Sequence, residues 1–214
     1  MTSPKLVKGG IIQLDPATGR RLRVIALQYN PDKVSRTVQL QAAGEQGGDR
    51  SQALRLKGAA SETIKVEAEI DATDALEHPE QHPTAAQKGI HPQLAALEAL
   101  VQPSADDLQR NDTLSRSGVL EVLPIEAPLT LFVWGGARVV PVRITELSIT
   151  EDAFDAALNP IRATVSLGMR VLTVDDLGFD HRGGALFMTY LRGRESLAKE
   201  AGSADLATLG LEAI

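Results

Sequence analysis

The sequence predicts a mainly β domain with minor helix, an α+β chain, and three observations carry that reading. The first is strict alternation in "TIKVEAEIDA": Ile64, Val66, Ala68 and Ile70 fall on one face, and Thr63, Lys65, Glu67, Glu69 and Asp71 on the other. A period of two with one apolar face is the pattern of a strand with one wet side. The second is a pair of longer runs, Val139–Thr150 and Ile161–Val174, which read as the two arms of the longest hairpin. The third is that helical spacing is confined to a short segment at Pro92–Val101 and to the tail at Gly184–Ala201.

The elements follow in order. A strand is expected over Lys5–Leu14, and a Pro/Gly turn at Asp15–Gly19. The next strand, "RRLRVIALQYN", ends at Asn30–Pro31, because proline lacks a donor and biases the preceding residue away from helix. "KVSRTVQLQ" alternates, with Val34, Val38 and Leu40 on one side, so it reads as a half-buried strand. The polar, glycine-rich stretch to Ser61 reads as a loop, and "LEHPEQHPTAAQKG" as an irregular, proline-punctuated segment. Leu94, Leu97, Leu100 and Val101 make the short helix, which Pro103 follows. "SADDLQRNDTLSRSG" reads as loop with room for one helical turn.

Strand character resumes at Val119, and "APLTLFVWGG" gives a short apolar strand ending in a Gly-Gly turn. In the following arm the inward set is Val140, Val142 and Ile144, then Leu147 and Ile149. That one-residue slip of phase predicts a β-bulge at Thr145–Glu146. "EDAFDAALNP" reads as the connecting loop. The returning arm alternates from Ile161 to Val171. Leu186, Tyr190 and Leu197 form the stripe of the tail helix, for which two readings stand: docking on a neighbouring subunit or a sheath-side baseplate protein, or folding back on its own sheet.

Composition narrows function by exclusion. The chain has 214 residues, 43% of them hydrophobic, enough for a core without disulfides or metals. Cysteine is absent, so there is no thiolate chemistry. Net charge is −6 and aromatics are 3%, which disfavours nucleic-acid binding. No run reaches the ~20 apolar residues of a membrane span. The N-terminus shows no secretory h-region, so synthesis is expected in the cytoplasm.

Candidate chemistry is sparse. His78 and His82 stand four apart, but Pro79 and Pro83 oppose the helix that a two-histidine metal site needs. Gly44–Asp49 lacks the Lys-Ser/Thr of a phosphate loop. Glu151, Asp152 and Asp155 beside Phe154 have no calcium-loop spacing and read as a solvated hairpin end. Trp134 reads as a core or interface anchor. No catalytic residue, metal site or cofactor is assigned. The alternative to a structural protein is a ligand-binding or enzymatic β-domain that uses the acidic loop or the His-Pro loop. A third reading is a module that binds a peptide along an exposed strand edge.

Two separated motifs resemble the tube or baseplate proteins of contractile injection systems, which are phage-tail-like particles. One is the aromatic-Asn-Pro element Tyr29, Asn30 and Pro31. The other is a hairpin with Phe154, Leu158, Pro160, Ile161, Arg162 and Ala163. The resemblance covers roughly residues 5–174. It implies a tail-tube-like β-sandwich or barrel over 1–174, with a loop and helix insertion at about 74–118, and a helical extension over 175–214. Similar proteins often end in a LysM module, and the tail here reads as helix instead.

The implied role is structural: a hexameric ring of this chain joining the inner tube to the baseplate and spike. Its partners would be the inner tube protein, a VgrG-like spike hub, and baseplate or sheath proteins, with neither nucleic acid nor membrane. The assembly-interface candidates are Tyr29, Asn30, Pro31, Lys65, Glu67, Glu69, Trp134, Phe154, Arg162, Arg170 and Tyr190. The wet faces among them would line a lumen or a ring interface.

Overall fold

The computed structural model describes residues 6–15, 17–41, 55–117 and 126–211. The strands are β1 (Gly10–Leu14), β2 (Arg21–Ala26), β3 (Val34–Gln39), β4 (Ser61–Asp71), β5 (Leu129–Val133), β6 (Val139–Phe154) and β7 (Pro160–Val171). They form one antiparallel sheet in the order β2-β1-β5-β6-β7-β4-β3. The helices are α1 (Thr73–Leu76), α2 (Pro83–Lys88), α3 (His91–Glu98), α4 (Ala105–Arg116), α5 (Val174–Leu177) and α6 (Arg182–Glu200), with a 3-10 turn at Leu206–Leu209. The glycine-rich stretch at Gly44–Asp49 and the strand start expected at Val119 lie outside the described residues.

The sheet rolls so that its two halves share a core. Ile11, Phe132, Val140 and Val142 from one half meet Ile64, Val66, Val165, Leu167 and Met169 from the other. The roll is fastened where β2 ends: the Gln28 amide donates to the Asp71 carbonyl at 2.7 Å and accepts from the Asp71 N–H at 3.0 Å. Leu94 and Leu97 of α3 enter the same core, as their spacing predicts. Gly89, at φ +55, ends α2 where a Cβ would meet the Pro160 carbonyl, and that carbonyl accepts from Ile90 N–H at 2.8 Å. Only glycine suits both demands.

The long hairpin is as expected and longer. The register of β6 on β7 shifts between Ile144 and Glu146, the site of the anticipated bulge. Glu151–Phe154 belong to β6, however, and the connecting loop is only residues 155–159. The Asp155 carboxylate closes it, accepting from the N–H groups of Ala157 and Asn159 and from the Asn159 amide, each at 2.8 Å.

Four further expectations are corrected. The His-Pro segment follows directly on α1 and holds α2, with Pro83 at the start of α2, where a missing N–H costs nothing. Residues 105–116 form a full helix, because the Ser104 side chain accepts from Asp107 N–H and caps it. The tail helix is inserted in its own core through Phe187 and Tyr190, so its first half does not await a neighbour. Its buried stripe is Gly183, Gly184, Phe187 and Tyr190, while Leu197 is exposed. Lastly, β3 is covered only at its start: Val34 packs against the core, whereas Val38 is 48% exposed and Leu40, just past the strand, 66%.

Candidate assembly surface

Four strands, β3, β4, β7 and the outer part of β6, present one continuous wet face. Its rows are set by cross-strand pairs: Lys65 with Gly168, Glu67 with Ser166 and then Ser148, Glu69 with Thr164 and then Thr150. The opposite faces of β4 and β7 are core, so alternation alone sends these residues outward.

Predicted surface residues converge here. Lys65, Glu67 and Glu69 form the floor of an open groove with Thr164 and Ser166, and Tyr29, Asn30 and Pro31 form its wall. Arg162 continues the row, its Nε 2.7 Å from Asp71 and 3.6 Å from Glu69. The Asp71 carboxyl is held below its usual range, first by the Thr73 hydroxyl and also by Arg162. Arg170 lies at the other end of β7, paired with Asp176 at 2.5 Å. The face therefore carries interleaved charges of both signs rather than a field of one.

Asn30 explains the Tyr-Asn-Pro element. Its side chain accepts from Gly9 N–H and donates to the Val7 carbonyl, both at 2.9 Å, so one amide stands in for a strand partner of the N-terminal segment. Tyr29 beside it stays about half exposed. Trp134 lies elsewhere. It stacks on Phe132 at 6.0 Å and fills the space left by Gly9, whose Cβ would strike the indole. Phe154 stands exposed at the hairpin end.

Tyr190 belongs to a buried cluster that the sequence reading missed. Glu62 is 3% exposed. It accepts from Arg36 Nε at 2.6 Å, Arg194 Nη1 at 3.2 Å and the Tyr190 hydroxyl at 3.3 Å. The Tyr190 hydroxyl in turn accepts from Arg36 Nη2 at 3.0 Å. Burial, with the Glu62 charge second, raises the Tyr190 pKa, and the bond to Glu62 raises that of Arg36. The signal was present: Glu62 is in phase with Ile64, Val66, Ala68 and Ile70, on the apolar side of β4. The cluster ties α6 to β3 and β4.

Among the described residues the sheet has two open edges beside the wet face. There β3 pairs only with β4. β5 covers β6 only from Val139 to Val142, and among the described residues no strand pairs with the outer edge of β6 beyond that point. His78, His82 and the acidic residues form no metal-binding group among the described residues. Among the described residues no helix is long and apolar enough to cross a membrane.

Comparison with known proteins gives the family. A search of curated proteins finds no match. Two solved structures are similar, both at 15% identity over 76% of this chain and 90% of theirs. One is described as the tail of an empty GTA particle refined with C6 symmetry, at a TM-score of 0.30, and the other as the virion of a native gene transfer agent particle, at 0.28. The family model of the contractile injection system tube protein matches residues 6–176, from the first described residue through β7. The chain therefore belongs to the contractile injection system tube proteins and is a structural component of the tube of a phage-tail-like particle.

Proposed function

We propose that this chain forms a closed ring that joins the inner tube to the baseplate and spike, with the wet face of β3-β4-β7-β6 turned to the lumen. The observation that carries the reading is the pair of open edges on either side of that face. An exposed strand edge is a template for pairing, and closure removes it. The unit has four strands, an even number, so a neighbour related by rotation places its β3 antiparallel to β6, in keeping with the rest of the sheet. The exposure of Val38 and Leu40 supports it too, since an apolar pattern left uncovered in one chain is explained by a second chain.

In this reading residues 1–174 form the ring unit and 175–214 an extension clamped to it by Tyr190 and Arg194. Six copies are expected, made and assembled in the cytoplasm. The inner tube protein, a VgrG-like spike hub and baseplate or sheath proteins are the neighbours. The exposed second half of α6, with Leu197, Leu206 and Leu209 also exposed, offers them a surface outside the family span. The enzymatic alternative loses support because the Asp155 carboxylate is committed to the hairpin turn. Light scattering after size exclusion, with electron microscopy of the peak, tests the reading. Rings with a central channel support it, and a monomer at every concentration and with every tube partner overturns it.

A further inference from the structure

We infer that the ring seam has one register, with Val38 of one copy opposite Ile149 of the next, Leu40 opposite Leu147, and Arg36 opposite Glu151. This rests on the ring reading above and adds to it which residues meet. Val34, Arg36 and Val38 lie opposite Val66, Ile64 and Glu62, on the core side of the sheet. Leu147, Ile149 and Glu151 lie opposite Leu167, Val165 and Ala163, also on the core side. A seam must match core side to core side, because a slip of one residue would turn every side chain to the other face. Allowed registers therefore differ by steps of two.

Among these, one register sorts the side chains by chemistry. A step one way places Arg36 against Ile149 and Glu151 against Val34. A step the other way places Arg36 against Ala153 and Glu151 against Val38. The register between them sets charge against charge and aliphatic against aliphatic. On the wet face it sets Thr37 against Thr150 and Gln39 against Ser148, polar against polar.

The charges are left in the right places for this. Two guanidinium groups, Arg36 and Arg194, share the single Glu62 carboxylate, so the buried cluster carries one uncompensated positive charge. Arg36 uses two of its five donors on Glu62 and Tyr190. Glu151 is exposed and makes no ion pair among the described residues. The stagger is also of the right size. Arg36 is level with Ile64, Met169 and Ile144, so pairing it with Glu151 advances the seam by about six strand steps, once the bulge after Ile144 is discounted. That is ~20 Å along the strands for ~19 Å across four of them, a tilt of about 45°, within the range of closed barrels and independent of copy number.

The chain has no cysteine, so engineered pairs read the register directly. In the full chain carrying Val38→Cys and Ile149→Cys, oxidation is expected to give covalent multimers. The pair Val38→Cys with Leu147→Cys, one step out of register, is expected to react at least tenfold more slowly. Glu151→Arg is expected to weaken association at least tenfold with an unchanged thermal midpoint, since its side chain is exposed. Faster cross-linking of the shifted pair, or wild-type association of Glu151→Arg, overturns the register while leaving the ring intact. A wild-type chain that never associates, with neither pair cross-linking, overturns the ring and the register together.

Discussion

β3 and β4 are hydrogen-bonded neighbours written in the same alternating code, yet they end in different environments. On β4 the residues Ile64, Val66, Ala68 and Ile70 are buried beneath the rolled sheet and α3. On β3 the equivalent set ends in Val38, which faces solvent, as does Leu40 just past the strand. Among the described residues the sheet stops at β3, and no second layer reaches its outer half. Among the described residues, a single chain supplies burial for the apolar side of β4 but not for the outer half of β3. On the proposed ring, the contrast separates residues that fold the chain from residues that join chains, and substitutions can be ordered along it.

The largest effect belongs to the folding side. Leu167, on β7 opposite Val66 and Leu147, is fully buried. Leu167→Asp strands a carboxylate in the core, with a cost of about 4 kcal/mol or more. The isolated chain is expected to lose its cooperative thermal transition. A melt within a few degrees of wild type would show that this face is not the core that holds the domain.

Glu62→Ala comes next. It leaves Arg36, Arg194 and Tyr190 without their shared acceptor. Both arginines keep partial access to water, so the cost is discounted from that of a fully buried pair to about 1–3 kcal/mol. Urea denaturation measures it, and limited proteolysis should show α6 released before the sheet. Equal protection of α6 in the variant would mean that the apolar contacts of Phe187 and its neighbours hold the helix without the charged cluster.

Acid acts on the turns. The Asp71 carboxyl is depressed first by the Thr73 hydroxyl, and that of Asp155 first by the Asn159 side chain. A depressed carboxyl contributes stability above the unfolded pKa of about 4 and loses it as pH falls through the lower folded value. The urea midpoint should therefore hold steady above pH ~5 and fall below pH ~4. Asp155→Asn should flatten part of that fall. An unchanged profile would assign the acid sensitivity to other carboxylates.

What the sequence made legible follows from which physical signals are local. The strands β4 and β7 and the bulge after Ile144 were readable because period two and its phase are local properties of the chain. The helix α4 was missed because it buries nothing: it has no apolar stripe, and only the Ser104 cap with Asp106 and Asp107 in the first turn marks it. The end of β6 was read as loop because acidic residues on a strand with one uncovered edge look like a solvated turn. On the surface, the grouping of Tyr29–Pro31 with Lys65–Glu69 needed the roll of the sheet, which no local pattern encodes. The stripe on α6 was misphased because Gly183 and Gly184 are buried by close approach to the α5 end, which hydropathy does not register.

Val38→Asp inverts the first prediction. The side chain is already about half exposed, so the isolated chain should lose no more than about 0.5 kcal/mol. Ring formation, which on the proposed seam covers Val38, should be abolished in size exclusion. A variant that melts far below wild type would place β3 on the folding side of the contrast, and one that still forms rings would remove β3 from the seam.

The smallest effect is expected on the wet face itself. Lys65 Nζ lies 3.8 Å from Glu146, with both side chains more than half exposed. Water and salt screen such a pair, and it is worth between zero and about 1 kcal/mol. Lys65→Glu should shift the thermal midpoint by no more than a degree or two and leave ring assembly unchanged, because Lys65 sits on β4, inside the unit and away from the proposed seam. The face already mixes Glu67, Glu69 and Arg162 in adjacent positions, so one reversal alters a field with no single sign to protect. A loss of assembly comparable to that of Val38→Asp would mean that the wet face, and not the edge of β3, is where copies of this chain meet.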